Sequence, residues 1–243
     1  MDINMITYTV LDSTNGEAAR LRASGSVRGE FFVSAHFQQD GRGQAGRKWV
    51  SDPGKNLLMS WVVFPVFLSV NQQFQLSKAV SLAITDLLEG HSIPCRIKWP
   101  NDIISNSGKI AGILIENSWQ GREIRQSIVG IGLNINQKIF PVFPYPAVGM
   151  IGENGKEYNT DAICEEMVER LEKRYEQLRK GAMKKINSDY HALLFRLNEE
   201  SLFSTGDSEF TGRIEGVSET GELIVERGNR LYNFGFHELK MHY

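Results

Sequence analysis

Two cysteines in 243 residues, Cys95 and Cys164, are too few and too far apart for a disulfide framework or a cysteine-based metal site. They are expected as free thiols in a reducing compartment. Long apolar runs are missing: the most hydrophobic stretch, 57–70, is broken by Pro65 and falls short of the ~18 residues a membrane span needs. Met1–Val10 lacks a basic segment leading into an apolar run, so no secretion signal is expected and the expected location is the cytoplasm. An excess of one charge is also missing. With 27 basic and 29 acidic residues, nothing global draws the chain to nucleic acid or to a membrane surface. Recognition of an anion must therefore be local. Internal repeats and low-complexity segments are absent.

What is present suffices for a sizeable core: 41% of residues are hydrophobic, an ordinary globular share. Ile6–Val10 alternates and is β-branched, which predicts a strand. Asp12-Ser-Thr-Asn15 offers caps for a short helix over Glu17–Leu21. Strands are expected at Phe31–Phe37, Asn56–Phe64, Arg96–Trp99, Lys109–Asn117 and Gln126–Ile135. Helical periodicity predicts helices over 72–89, capped by Gly90, over Asp161–Lys180, stopped by Gly181, and over Lys184–Phe195. Phe140–Gly155, rich in Pro and Gly, reads as a surface loop. Strands arrive in runs rather than alternating with helices, so the fold class is α+β, a mixed or antiparallel sheet flanked by helices. From Thr205 onward the pattern changes to short β runs at Thr211–Ile214, Glu222–Val225 and Arg230–Phe234 with turns at Thr220-Gly221 and Gly228-Asn229. Two domains are expected: a catalytic one over 1–200 and a small β-barrel over 205–243.

Four motifs carry chemistry. Gln38-Gln-Asp-Gly-Arg-Gly-Gln-Ala-Gly-Arg-Lys-Trp49 places three glycines and the cations Arg42, Arg47 and Lys48 against one acid, Asp40. Such a loop lets backbone N–H groups approach an anion, and it is not a P-loop because no Gly-Lys-Ser/Thr closes it. In Lys98-Trp-Pro-Asn-Asp102, proline holds Trp99 extended and Asn-Asp favours a turn. Lys109-Ile-Ala-Gly-Ile-Leu-Ile-Glu116 is an apolar strand opened by a lysine, with Gly112 allowing close approach. Gly130-Ile-Gly-Leu-Asn-Ile-Asn136 is a strand with two glycines and two amides.

In this order, and together with Asp12-Ser-Thr-Asn15, the four resemble the motif set of the biotin–protein ligases. The resemblance runs from Tyr8 to Asn136 and more loosely to Tyr243. It implies that Ser13, Thr14, Asn15 and Gln38 hydrogen-bond the biotin ureido head. It implies that the glycine loop, with Gly41, Arg42, Gly43 and Gln44, folds over the acyl-adenylate. Trp49 is expected to stack on adenine, and Asn134, Lys98 and Asn101 to lie on the nucleotide side. Lys109 is expected to bind the carboxylate and phosphate, with Gly112 and Leu114 lining the biotin tail. Asp102 falls where the family has an acid near the metal or the incoming lysine, so Lys109, Arg42 and Asp102 form the expected catalytic set. No metal site made by the protein alone is expected, only Mg²⁺ carried with ATP.

The implied reaction joins two anions, biotin's carboxylate and the α-phosphate of ATP, so fixed cations and backbone donors are its main requirement. A lysine amine of the partner, the biotin carboxyl carrier domain of a carboxylase, then attacks the adenylate. That amine must first lose the proton it holds at its usual pKa of ~10.4, which a carboxylate such as Asp102 would accept. Two departures stand out. Gln44 occupies a position where many relatives carry a second arginine, which removes a charge beside the adenylate. The first catalytic strand begins close to Met1, leaving no room for the DNA-binding domain of relatives that repress transcription, so no nucleic-acid partner is expected. The protein is expected as a monomer or homodimer. The competing readings are a lipoate–protein ligase and a non-catalytic biotin-binding regulator.

Overall fold

The computed structural model describes residues 4–206 and 208–242. Residues 1–3 and 243, which the two expected domains include, lie outside the described residues, as does Asp207. The alternating N-terminal segment forms β1 (Met5–Leu11), followed by α1 (Thr14–Ala23) and β2 (Phe31–Gln38). The Ser13 side chain caps α1, accepting the Gly16 N–H at 3.5 Å. Next come β3 (Asn56–Val63), α2 (Phe74–Gly90), β4 (Cys95–Lys98), β5 (Asp102–Ser105), β6 (Lys109–Gln120) and β7 (Glu123–Asn134). Then follow α3 (Met150–Asn154), α4 (Thr160–Arg179) and α5 (Met183–Ala192). The seven strands make one sheet in the order β1-β2-β3-β7-β6-β5-β4. Its β1–β2 pair is parallel and the others are antiparallel, so the sheet is mixed as expected.

Because strand side chains alternate, each face of this sheet has its own composition. On one face Met59, Trp61, Ile113, Val129 and Ile131 lie buried in the main core with the apolar stripes of α2 and α4. Each fully buried Leu or Ile there contributes roughly 1.5–3 kcal/mol. On the other face α1 covers only one end, where Ala18 and Leu21 pack on Phe31, Val33, Val62 and Ile128. Past that cluster the same face carries Ser60, Gly130, Gly132 and Gly112, which are neighbours in the strand register. The sheet is therefore thick with side chains on one side and partly bare on the other.

The second sheet contains β8 (Glu200–Thr205), β9 (Ser208–Val217), β10 (Leu223–Arg227), β11 (Arg230–Phe234) and β12 (Lys240–Met241). It is antiparallel, in the order β11-β10-β9-β8-β12. Where a barrel was expected there is a five-stranded sheet, and no ladder among the described residues joins β11 to β12. The turn at Gly228-Asn229 is as expected, both residues having positive φ, as a two-residue hairpin loop requires. The buried side chains of this sheet, among them Phe203, Phe210, Ile214 and Val225, belong to the same core cluster as α2 and α5.

Several local expectations are corrected. Gly90 is the last residue of α2 rather than a left-handed cap, and the positive φ falls on Ser92 instead. Residues 150–154 of the expected loop form α3, which starts after Gly149 at a point where a Cβ would meet the Ile135 and Gln137 carbonyls. Strands β5 and β8 lie on short segments to which no strand was assigned; β5 pairs with its sequence neighbours β4 and β6, and β8 forms a hairpin with β9. Helix α1 is twice as long as its apolar residues suggested, because capping and exposed arginines extend it.

Candidate active site

The bare patch is a floor made by three glycines. A Cβ on Gly132 would lie 2.4 Å from the Trp49 indole, and one on Gly112 would lie 3.0 Å from it. A Cβ on Gly130 would lie 2.4 Å from the Asn15 side-chain oxygen. These positions admit no side chain while Trp49 and Asn15 lie above them. In register, Gly112 faces Gly132 and Leu114 faces Gly130, so the floor runs across β6 and β7 with Leu114 along one side.

At the α1 end of the floor stands a buried polar network. Thr14 donates its main-chain N–H to the Gln38 side-chain oxygen at 2.7 Å, and its hydroxyl lies 3.1 Å from the same oxygen. The backbone donor fixes which way the Gln38 amide points. The Ser60 hydroxyl lies 2.7 Å from Thr14 Oγ1 and 2.6 Å from Asn15 Oδ1. Asn15 donates to the Glu116 carboxylate at 2.7 Å. Thr14, Asn15 and Ser60 are all buried. The two hydroxyls have one hydrogen each, yet they face three oxygen contacts. The network's oxygens therefore keep acceptor capacity that a ligand N–H can fill.

The other end of the floor is charged. Lys109 Nζ sits 2.6 Å from Asp102 Oδ1 and 5.7 Å from the Trp49 ring centre. Asp102 opens β5 opposite Lys98. Burial pushes the Lys98 ammonium below its usual range, Asp102 offsets part of this, and the nearby cations Lys109, Arg47 and Arg196 push it further down. Asn101 holds the turn to β6 by donating to the Ile113 carbonyl at 2.9 Å. Asn134 donates to the Lys109 carbonyl at 3.4 Å, while its buried side-chain oxygen has no protein partner.

The glycine loop is a hairpin over this floor. Trp49 N–H donates to the Gly41 carbonyl at 2.9 Å and Gly43 N–H to the Arg47 carbonyl at 2.7 Å, with Arg42 bridged to Lys48. A Cβ at Gly41 would lie 2.5 Å from the Trp49 carbonyl, which explains that glycine. The tip is a single turn at Gln44–Gly46, and Gln44 borders a groove with Asn101, Ile115 and Asn117.

The residues expected from sequence therefore gather mainly in two groups. Thr14, Asn15 and Gln38 form the polar network, with Ser13 capping the helix beneath it. Lys109, Asp102, Lys98, Asn134 and Trp49 gather at the charged end. Arg42 does not join Lys109: its Nε lies 3.5 Å from Ser13 Oγ and its guanidinium 3.9 Å from Glu116, at the polar end. Ser60, Gly130 and Glu116 were missed as site residues. A serine inside the otherwise apolar run of β3 was the available signal, and Glu116 shares a face with Gly112 and Leu114 by strand period. The acids here, Asp102 and Glu116, are each engaged by a cation or amide, and among the described residues no group of three or more potential metal ligands occurs.

The chain is similar to proteins already known. Residues 8–134 match the family described as biotin/lipoate A/B protein ligase. A biotin–[acetyl-CoA-carboxylase] ligase of Paracoccus denitrificans is 33% identical over 221 residues, covering 88% of this chain and 90% of that one. The bifunctional ligase/repressor BirA of Bacillus subtilis is 29% identical over 230 residues, covering 93% of this chain and 70% of its own length. Among solved structures, a biotin protein ligase from Aquifex aeolicus in complex with biotin and ATP superposes with a TM-score of 0.82 at 26% identity, covering 98% of both chains.

Proposed function

Because this chain belongs to the biotin/lipoate A/B protein ligase family, we propose that it activates biotin with ATP and transfers the biotinyl group to a lysine of a carrier protein. The observation that carries the reading is the network of Thr14, Asn15, Gln38 and Ser60, with its spare acceptors, at one end of a glycine floor, and Lys109 at the other. A ureido ring offers N–H donors and a carbonyl acceptor to such a network. A dithiolane ring offers neither, and would leave the spare acceptors of this network unmet.

Biotin's head then lies on the network and its tail runs along Leu114 over the floor. Its carboxylate reaches Lys109, which exchanges Asp102 for the substrate anion. The carboxylate oxygen attacks the α-phosphorus of ATP and pyrophosphate leaves. Lys109 offsets the approach of two anions, and a cation held in place costs no reorganisation at the moment of reaction. Trp49 stacks on the base, which requires the indole to yield part of the floor. Mg²⁺ would accompany the phosphates of ATP and neutralise their charge. In the second step the carrier's amine nitrogen attacks the acyl carbon, AMP leaves, and Asp102, released from Lys109, accepts the amine's proton.

The carrier lysine must reach Asp102, and one sheet edge adjoins it. Beyond Ile113, which Asn101 holds, no strand among the described residues pairs with the outer edge of β6. Strand addition at Ile115–Asn117 would bring a carrier hairpin beside the Asn101–Asp102 turn. The other open edge, β1, lies four strands from β6, about 19 Å away.

The test combines purified protein, ATP, Mg²⁺, biotin and a carrier domain, and follows carrier mass. The expected result is a shift of one biotinyl group, absent without ATP and reduced by at least ~100-fold in rate in Lys109→Ala. A shift with lipoate alone would move the protein to the sister activity. Biotin binding with no transfer of either acid would leave a binding protein.

A further inference from the structure

The turn that carries Asp102 is short and stands near the end of the sheet. Its strand β4 has one four-residue strand partner, β5, and is otherwise held by hydrogen bonds between Ile97 and residues 193 and 195. Asn101 and Ile113 tie the turn to β6 on one side, and the 2.6 Å contact between Asp102 and Lys109 also depends on what supports residue 99 on the other.

That support comes from the second sheet. The Trp99 indole is buried and donates its N–H to the Gly221 carbonyl at 2.8 Å. Gly221 lies in a tight turn closed by Ser218 N–H to the Glu222 carbonyl at 2.9 Å. Its φ is +101°, and a Cβ there would lie 2.6 Å from the Phe74 ring, so the turn is seated against α2. Phe236, between β11 and β12, packs between the two elements, with ring centres 5.5 Å from Trp99 and 5.8 Å from Phe74. The indole is therefore held by a hydrogen bond at its N–H and by a tilted contact with an aromatic ring, both from the connections of the second sheet.

We propose that Trp99 is a positioning residue: docked on Gly221 and Phe236, it fixes the 99–102 turn so that Asp102 holds Lys109 and faces the incoming amine. The second sheet thus sets the geometry of the transfer step without touching substrate. This rests on the biotin-transfer reading for its kinetic consequences, but not for the Asp102–Lys109 geometry itself.

Trp99→Phe keeps an aromatic ring and removes the N–H donor. Single-turnover transfer from preformed adenylate should slow by about tenfold, with biotin affinity unchanged, since the polar network lies elsewhere. In an Asp102→Asn background the same change should cost less than about twofold, because its route of action is already gone. Equal losses in both backgrounds, or no loss in either, would overturn the proposal. Lys109 supplies a readout that needs no activity. Its acylation by acetic anhydride, mapped by mass spectrometry, should rise severalfold in Trp99→Phe, and unchanged labelling would also overturn it. If the wild-type protein transfers no biotin, the functional reading fails and the labelling decides the positioning alone. Should Trp99→Phe not fold, Phe236→Leu loosens the same turn from the other side and enters the same cycle.

Discussion

At the level of single residues, the free site neutralises itself. Lys109 rests on Asp102 and Lys48 on Asp40, and Arg42 lies near Glu116. On the proposed reading, a substrate anion displaces a carboxylate from Lys109 rather than entering an empty positive hole. The polar end works by hydrogen-atom accounting, and Ser60 sits at its centre. Ser60→Ala removes a hydroxyl from a fully buried position between Thr14 and Asn15. Biotin should bind about tenfold more weakly, roughly 1.4 kcal/mol, with maximal adenylation rate little changed. Titration calorimetry checks this, and unaltered affinity would remove Ser60 from the site. Ser60 also marks how far the sequence could be read. Thr14, Asn15, Gln38, Lys109 and Asp102 were legible because each sits in a local motif. Ser60, Glu116 and the contact between Trp49 and Gly132 were not, since they exist only once β3, β6 and β7 are paired in one register. Arg42 was legible as a cation, but its position beside Ser13 follows from the hairpin closure of its loop.

At the level of elements, strong periodicity was read well and short strands were not. Helices α2 and α4 follow their apolar stripes, and Gly181 ends α4 with φ +80°. Strands β5 and β8 are short segments to which no strand was assigned, and the extent of α1 owes more to its cap than to its hydrophobic residues. Helix α2 also contains an anomaly for a core helix, the buried Lys78. Its ammonium donates to the Asn187 side-chain oxygen at 2.8 Å and lies 5.7 Å and 5.6 Å from the Phe74 and Tyr190 ring centres. Burial lowers its pKa to about 8, against a partial opposing pull from Glu219. In the unfolded chain the value returns to ~10.4. Below pH 8 both states are charged and the burial penalty is complete. Between pH 8 and ~10.4 the unfolded state holds the extra proton, so this group makes stability rise with pH. Lys78→Met should remove that contribution and stabilise the fold at pH 7 by about 2 kcal/mol. Urea midpoints of both proteins from pH 7 to 10 test it, and parallel profiles would contradict it.

At the level of the whole molecule, the two sheets divide the work. The first supplies a floor, its two chemical ends and an open edge. The second supplies no residue to the floor and instead packs against the turn that bears Asp102. The open edge can be examined separately from the chemistry. Ile113 directs its main-chain N–H and carbonyl to Asn101, so by alternation Asn117 directs its own to the free side of β6. Asn117→Pro should lower transfer to the carrier domain by at least about tenfold while leaving biotin- and ATP-dependent pyrophosphate release intact. Equal loss of both would show a damaged sheet instead of a lost dock. The shared core has a further consequence, one of timing. Strands β8–β12 are synthesised after every residue they pack against, because the ribosome works from the N-terminus. Until they emerge, Trp99 lacks its Gly221 and Phe236 contacts, and the turn before Asp102 keeps only its tie to β6. A nascent chain would hold the biotin-facing floor early and gain transfer geometry last, so a truncated product of interrupted translation would be poorly able to hand an activated acyl group to any amine nearby.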